Sequence, residues 1–121
     1  MRSNQYRVTL DLDDSTPLDV ARGYYGLRSV GAADIEVRVS SSGDGYHVRA
    51  WFDGEPDPET VETLRYQYGD HAKRVRLDRT HDVKPPQMLF THKSSNDGDA
   101  GPWRSDPWEA VDDKDRRGGL A

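Results

Sequence analysis

The sequence predicts an α+β fold, with a four-stranded antiparallel sheet and two helices on one face, in the ferredoxin-like order β-α-β-β-α-β. Three observations predict it. Four segments alternate apolar and polar residues with a period of two. Two intervening segments open with a capping residue followed by proline, the grammar of a helix start. Composition admits one small core. Of 121 residues, 33% are hydrophobic and 32% charged, with a mean hydropathy of -0.98. A folded unit over 5–93 and an acidic, largely disordered tail over 94–121 are therefore expected.

The first strand is "YRVTLDLD", with Tyr6, Val8, Leu10 and Leu12 on one face. "DSTPLD" follows as a helix start, with Thr16 as the cap, Pro17 in the first turn and Asp19 behind it. Leu18, Ala21, Tyr25 and Val30 are the expected buried face, and Gly31 the stop. Gly23 and Gly26 weaken this helix, so packing must hold it. "DIEVRVS" and "YHVRAWF" are the second and third strands, joined by a Gly-containing hairpin loop. "DPETVETLRYQYGD" repeats the helix grammar. Asp57 caps, Pro58 starts, Val61, Leu64 and Tyr68 share a face, and Gly69 ends it. "RVRLD" is the fourth strand, and "QMLF" a candidate edge piece. In the tail, Trp103 and Trp108 stand out. "PWRSDPW" reads either as a docking peptide for a protein partner, within 100–110, or as a segment that folds back on the domain.

Several classes are excluded by composition. With no cysteine, disulfide scaffolds and thiolate metal sites are absent. No apolar run reaches the roughly 20 residues of a membrane span, and no signal peptide opens the chain. A soluble, cytoplasmic protein without a membrane partner is expected. Asp outnumbers Glu 17 to 5, and Arg outnumbers Lys 13 to 4. That usage resembles proteins of salt-loving (halophilic) microbes or their viruses. A net charge of -5 leaves nucleic acid only a local patch to bind.

Alternation then sorts the polar residues. If the apolar set Val8, Leu10, Leu12, Ile35, Val37, Val39, Val48, Phe52, Val75 and Leu77 packs under the helices, the opposite set lies on an uncovered face. That set is Arg7, Thr9, Asp11, Asp13, Glu36, Arg38, His47, Arg49, Trp51, Arg76 and Asp78. The plan's usual strand order, 4-1-3-2, puts His47 close to Asp11 and Asp13. Those two carboxylates sit roughly 6–7 Å apart. Either a divalent ion or the neighbouring arginines relieve their repulsion. Trp51 either stacks a base or is covered by the tail or by "QMLF".

Together these residues resemble the archaeo-eukaryotic primase (primase-polymerase) superfamily, whose three motifs lie on an RRM-like sheet. "LDLD" matches the strand ending in Asp-x-Asp with Asp11 and Asp13. "SSGDGYHV" matches the Ser-Gly turn leading to a histidine, with Ser41, Ser42, Gly43, Gly45 and His47. "RLD" matches the later apolar-Asp pair with Asp78. The resemblance covers about residues 5 to 80. It implies nucleotidyl transfer in DNA replication or repair, with Asp11, Asp13 and Asp78 holding Mg²⁺ or Mn²⁺ and His47 among the catalytic residues. Ser41, Ser42, Gly43, Gly45 and His47 would then contact nucleotide phosphates. Asp44 departs from the Lys or Arg that many members carry in the turn. The length leaves no room for the members' further αβ module, so a reduced relative, or a part that works with a partner, is expected. Two other functions fit the fold class. One is an RRM-like binder of single-stranded nucleic acid through Arg38, Arg49, Trp51 and Arg76. The other is a ferredoxin-like adaptor docking through its Trp-containing tail.

Overall fold

The computed structural model describes residues 5–12, 15–41, 43–54, 58–69 and 100–119. Its elements in chain order are β1 (Gln5–Leu12), α1 (Pro17–Ser29), β2 (Asp34–Val39), β3 (Tyr46–Asp53), α2 (Pro58–Gln67) and α3 (Pro107–Gly119). The described strands form a three-stranded sheet in the order β1-β3-β2. Both β1 and β2 run antiparallel to β3, so β3 separates two parallel strands. The expected fourth strand over 74–78 and the "QMLF" piece lie outside the described residues.

Period-two alternation places the core where it was expected. Val8, Leu10, Leu12, Ile35, Val37, Val39, Val48 and Phe52 are all buried, joined by Tyr46 and Ala50. Fully burying a Val or Leu side chain stabilises by about 1.5–3 kcal/mol, so this face dominates the energetics. Val75 and Leu77 lie outside the described residues.

The helix grammar of α1 holds. The Thr16 side chain accepts from the Asp19 N–H, and the Asp19 carboxylate accepts from the Thr16 N–H, a capping box with Pro17 in the first turn. The helix phase differs from expectation. Val20, Gly23, Tyr24 and Leu27 are buried, whereas Leu18 (78% exposed), Tyr25 and Val30 face outward. The reason is close packing. A Cβ on Gly23 would stand 3.4 Å from Leu10 Cδ1, and one on Gly26 would overlap the Tyr68 ring at 2.3 Å. The small residues turn toward sheet and α2, and the larger Leu18 and Tyr25 cannot take their place. In α2, Val61 and Leu64 are buried and Tyr68 packs on the core. Arg22 donates to the Gln67 carbonyl near the end of that helix. Asp57 lies outside the described residues.

For residues 100–119 of the tail, the structure shows the second of the two sequence readings, a segment that folds back on the domain. It is built into the fold. The Val37 N–H donates to the Arg104 carbonyl (2.8 Å), the Arg104 N–H to the Val37 carbonyl (2.7 Å), and the Gly101 N–H to the Val39 carbonyl (2.9 Å). This segment satisfies backbone groups that β2 would otherwise leave open. Asp106 then repeats the cap-proline grammar, accepting from the Trp108 N–H, and α3 begins at Pro107. Ala110 is fully buried and Val111 packs beside it. Low overall hydropathy hides this narrow apolar stripe. No helix among the described residues is long and apolar enough to cross a membrane.

The Gly26–Tyr68 seat makes a signed prediction. Gly26→Ala should lower stability by about 1 kcal/mol, because the ring must leave its seat. In a Tyr68→Ala background the same change should raise stability by about 1 kcal/mol through helix propensity. Chemical denaturation of the four proteins measures both signs.

Candidate functional site

Because β3 lies in the middle, His47, Arg49 and Trp51 each have a partner on both sides. The register forms three rows: Asp11–His47–Arg38, Thr9–Arg49–Glu36 and Arg7–Trp51–Asp34. In the first row, Arg38 Nε donates to His47 Nδ1 at 3.0 Å. A guanidinium stays protonated, so Nδ1 must accept, and the neutral ring carries its proton on Nε2. That Nε2 stands 3.7 Å from Asp11 Oδ1. The expected proximity of Asp11 and His47 is therefore present. In the second row, both Nε and a terminal nitrogen of Arg49 reach Glu36 Oε1, at 2.8 and 2.6 Å. The Arg49 guanidinium also lies 5.1 Å from the Trp51 ring centroid.

The expectation of an uncovered face is corrected. Thr9 is 1% exposed, His47 4%, and Arg38 and Trp51 each 7%. The tail supplies one cover. Pairing of Val37 with Arg104 sets Trp103 opposite Arg38 on the polar parity. Its ring centroid lies 4.3 Å from the Arg38 guanidinium and 3.9 Å from that of Arg49. Trp51 takes the buried alternative of its two sequence readings and offers no open ring to a base. Burial, then the neighbouring charge of Arg49, pushes the Arg38 pKa down. Among the described residues, no carboxylate pairs with Arg38.

The Ser-Gly turn leads into β3 as expected, yet the amides of its two glycines are engaged. The Gly43 N–H donates to the Ser40 carbonyl at 3.0 Å. The Gly45 N–H donates to Ser40 Oγ at 3.2 Å. Gly43 holds φ at 81°, a conformation that favours glycine. Ser41 is buried and Asp44 exposed. Lys114 of α3 donates to the carbonyls of Asp44 and Ser15 and lies over the Tyr46 ring. Burial, then the charge of Asp115, raises the Tyr46 hydroxyl to about 12.

Of the implied metal set, Asp11 alone is described. Asp13 and Asp78 lie outside the described residues, as do Ser42 and Arg76. Among the described residues, no group of three or more His, Asp or Glu side chains is arranged to hold a metal ion. Sequence reasoning missed Trp103 as part of this face and Ser40 as the organiser of the turn. Strand parity carried into "GPWR" places Trp103 on this face only once its pairing with β2 is known.

Trp103 is anchored through its neighbour. Arg104 points to the other face, where Nε and a terminal nitrogen meet the two Asp113 oxygens at 2.9 and 3.1 Å. Arg116 bonds the same carboxylate. The Arg104 hydrogen bond holds the Asp113 carboxyl below its usual range, outweighing burial, which pushes it up.

The chain matches no family model, no curated protein and no solved structure.

A carboxyl depressed in the folded state contributes stability above its unfolded pKa of about 4 and loses it as pH falls through the folded value. Asp113→Asn should therefore lower Tm at pH 7. Its deficit against the parent should shrink below about pH 4. Thermal unfolding of both proteins between pH 7 and pH 2 checks this.

Proposed function

We propose that this chain is a small primase-like domain that binds a nucleotide or single-stranded nucleic acid on the polar face centred on β3. The observation that carries this proposal is the row Asp11–His47–Arg38, which opens at the Ser-Gly turn. It lines up an acid, an N–H donor of fixed tautomer and a guanidinium on three adjacent strands. At about 4.8 Å per strand the row spans roughly 10 Å, the scale of a nucleotide. His47 Nε2–H and Arg38 are the donors suited to a phosphate. The turn contributes less than the resemblance implies, since the Gly43 and Gly45 amides bond to Ser40.

The four-stranded, ferredoxin-like (RRM-like) plan goes with this function. A strand over 74–78 beside β1 would bring Arg76 and Asp78 to the same face. Asp11, which keeps 26% side-chain exposure, is reachable and would hold Mg²⁺ or Mn²⁺ together with Asp13 and Asp78. His47 does not suit that ligand set, because its Nε2 carries the proton. A divalent ion there would neutralise phosphate oxygens during nucleotidyl transfer. A cytoplasmic setting fits such a ligand. Protein docking through 100–110 is a second function, favoured by Trp108, which is 46% exposed.

Fluorescence anisotropy of a labelled oligothymidylate, with nucleoside triphosphate and with or without Mg²⁺ or Mn²⁺, separates these functions. Metal should strengthen binding, and Asp11→Ala should lose at least about tenfold, or 1.4 kcal/mol. Binding that ignores metal and survives Asp11→Ala marks a non-catalytic RRM-like binder. Absence of any binding leaves the adaptor.

A further inference from the structure

We propose that residues 101–104 are a displaceable strap, and that Trp103 occupies the place over Arg38 and Arg49 that the planar ring of an anionic ligand, a nucleotide base, takes in the bound state. This proposal rests on the nucleotide-binding function above and names how that site is regulated.

The geometry over the two arginines points to it. One indole lies within 4.3 Å of both guanidiniums. Arg49 has Glu36 as its carboxylate, whereas Arg38 has His47 as its hydrogen-bond partner and Trp103 over it. A neutral ring satisfies a guanidinium face but cannot neutralise its charge. A nucleotide offers both a ring for the stack and a phosphate for Arg38, so it competes for the place with an interaction that Trp103 lacks.

The strap is also separable from the rest of the fold. Three backbone hydrogen bonds, from Val37, Arg104 and Gly101, tie it to β2. α3 has its own anchors. Ala110 is fully buried, and Lys114 bonds to Ser15 and Asp44. The Ser105 carbonyl accepts from the Tyr24 hydroxyl, which pins the chain just beyond the strap. Lifting 101–104 therefore breaks edge pairing, the Trp103 stack and the Arg104–Asp113 ion pair, without moving the apolar core. A site open only part of the time binds more weakly by the open fraction.

Two measurements on the full chain test this. Anisotropy of fluorescein-labelled oligothymidylate should show Trp103→Ala binding about tenfold more tightly than the parent, with Arg38→Ala in that background removing the gain. Gly101→Pro, which deletes one strap bond and leaves Trp103 intact, should also tighten binding and guards against misfolding of the first variant. Native-state amide exchange should show Val37, Gly101 and Arg104 exchanging by local opening, faster than the β1–β3 ladder. Equal or weaker binding by both variants, where the parent binds, overturns the strap and leaves the binding function standing. Exchange of those three amides only with global unfolding also overturns the strap. Fast local exchange with no binding by any of the proteins overturns the binding function, and with it the ligand named here.

Discussion

The antiparallel seating of β3 between β1 and β2 is the constraint on which everything else depends. It buries one parity of three strands and thereby decides which side chains meet on the other. A slip of one residue would send Tyr46, Val48 and Ala50 to the polar face and His47, Arg49 and Trp51 into the core. No such slip is tolerable, because the helices already cover the apolar parity. The row Asp11–His47–Arg38 is thus a by-product of core packing before it is anything chemical. His47 inherits its tautomer from the strand beside it, since Arg38 can only donate.

The same parity rule extends past β2 to the segment 101–104. Pairing with Val37 sends Trp103 to the polar face and Arg104 to the helix face. Those two neighbours do different work. Arg104 ties the strap to α3 through Asp113, while Trp103 covers the buried guanidinium of Arg38 and the half-buried one of Arg49. Burying a cation without compensation is costly, and a cation–π contact returns about 0.5–2 kcal/mol. The cover therefore offsets part of the cost of burying Arg38, and by an amount small enough for a charged ligand to exceed under the strap proposal.

Strand alternation made the sheet legible from sequence, because apolar residues at every second position leave one orientation only. Thr16-Pro17 and Asp57-Pro58 likewise announced their helices. The phase of α1 was not legible. Two apolar stripes, through Leu18 and Tyr25 and through Val20, Tyr24 and Leu27, have the right spacing. The choice between them was made by Gly23 and Gly26, whose lack of a side chain matters only once Leu10 and Tyr68 are in place. In the tail, polarity masks a signal already used twice. Asp106-Pro107 is the third instance of the same helix start. The juxtaposition of Asp11 and His47 followed from the strand order of the plan together with antiparallel direction. The closure of that face did not, since nothing local to "GPWR" says which edge it will join.

Solution NMR of His47 tests the central claim most directly. Backbone cross-peaks from His47 to both Asp11 and Arg38, with ring ¹⁵N shifts of a neutral Nε2–H imidazole, are the predicted result. A cross-peak pattern that pairs His47 directly with Leu10 or Leu12 in place of Asp11, or a ring protonated on Nδ1 at neutral pH, would contradict the register and the row of polar side chains built on it.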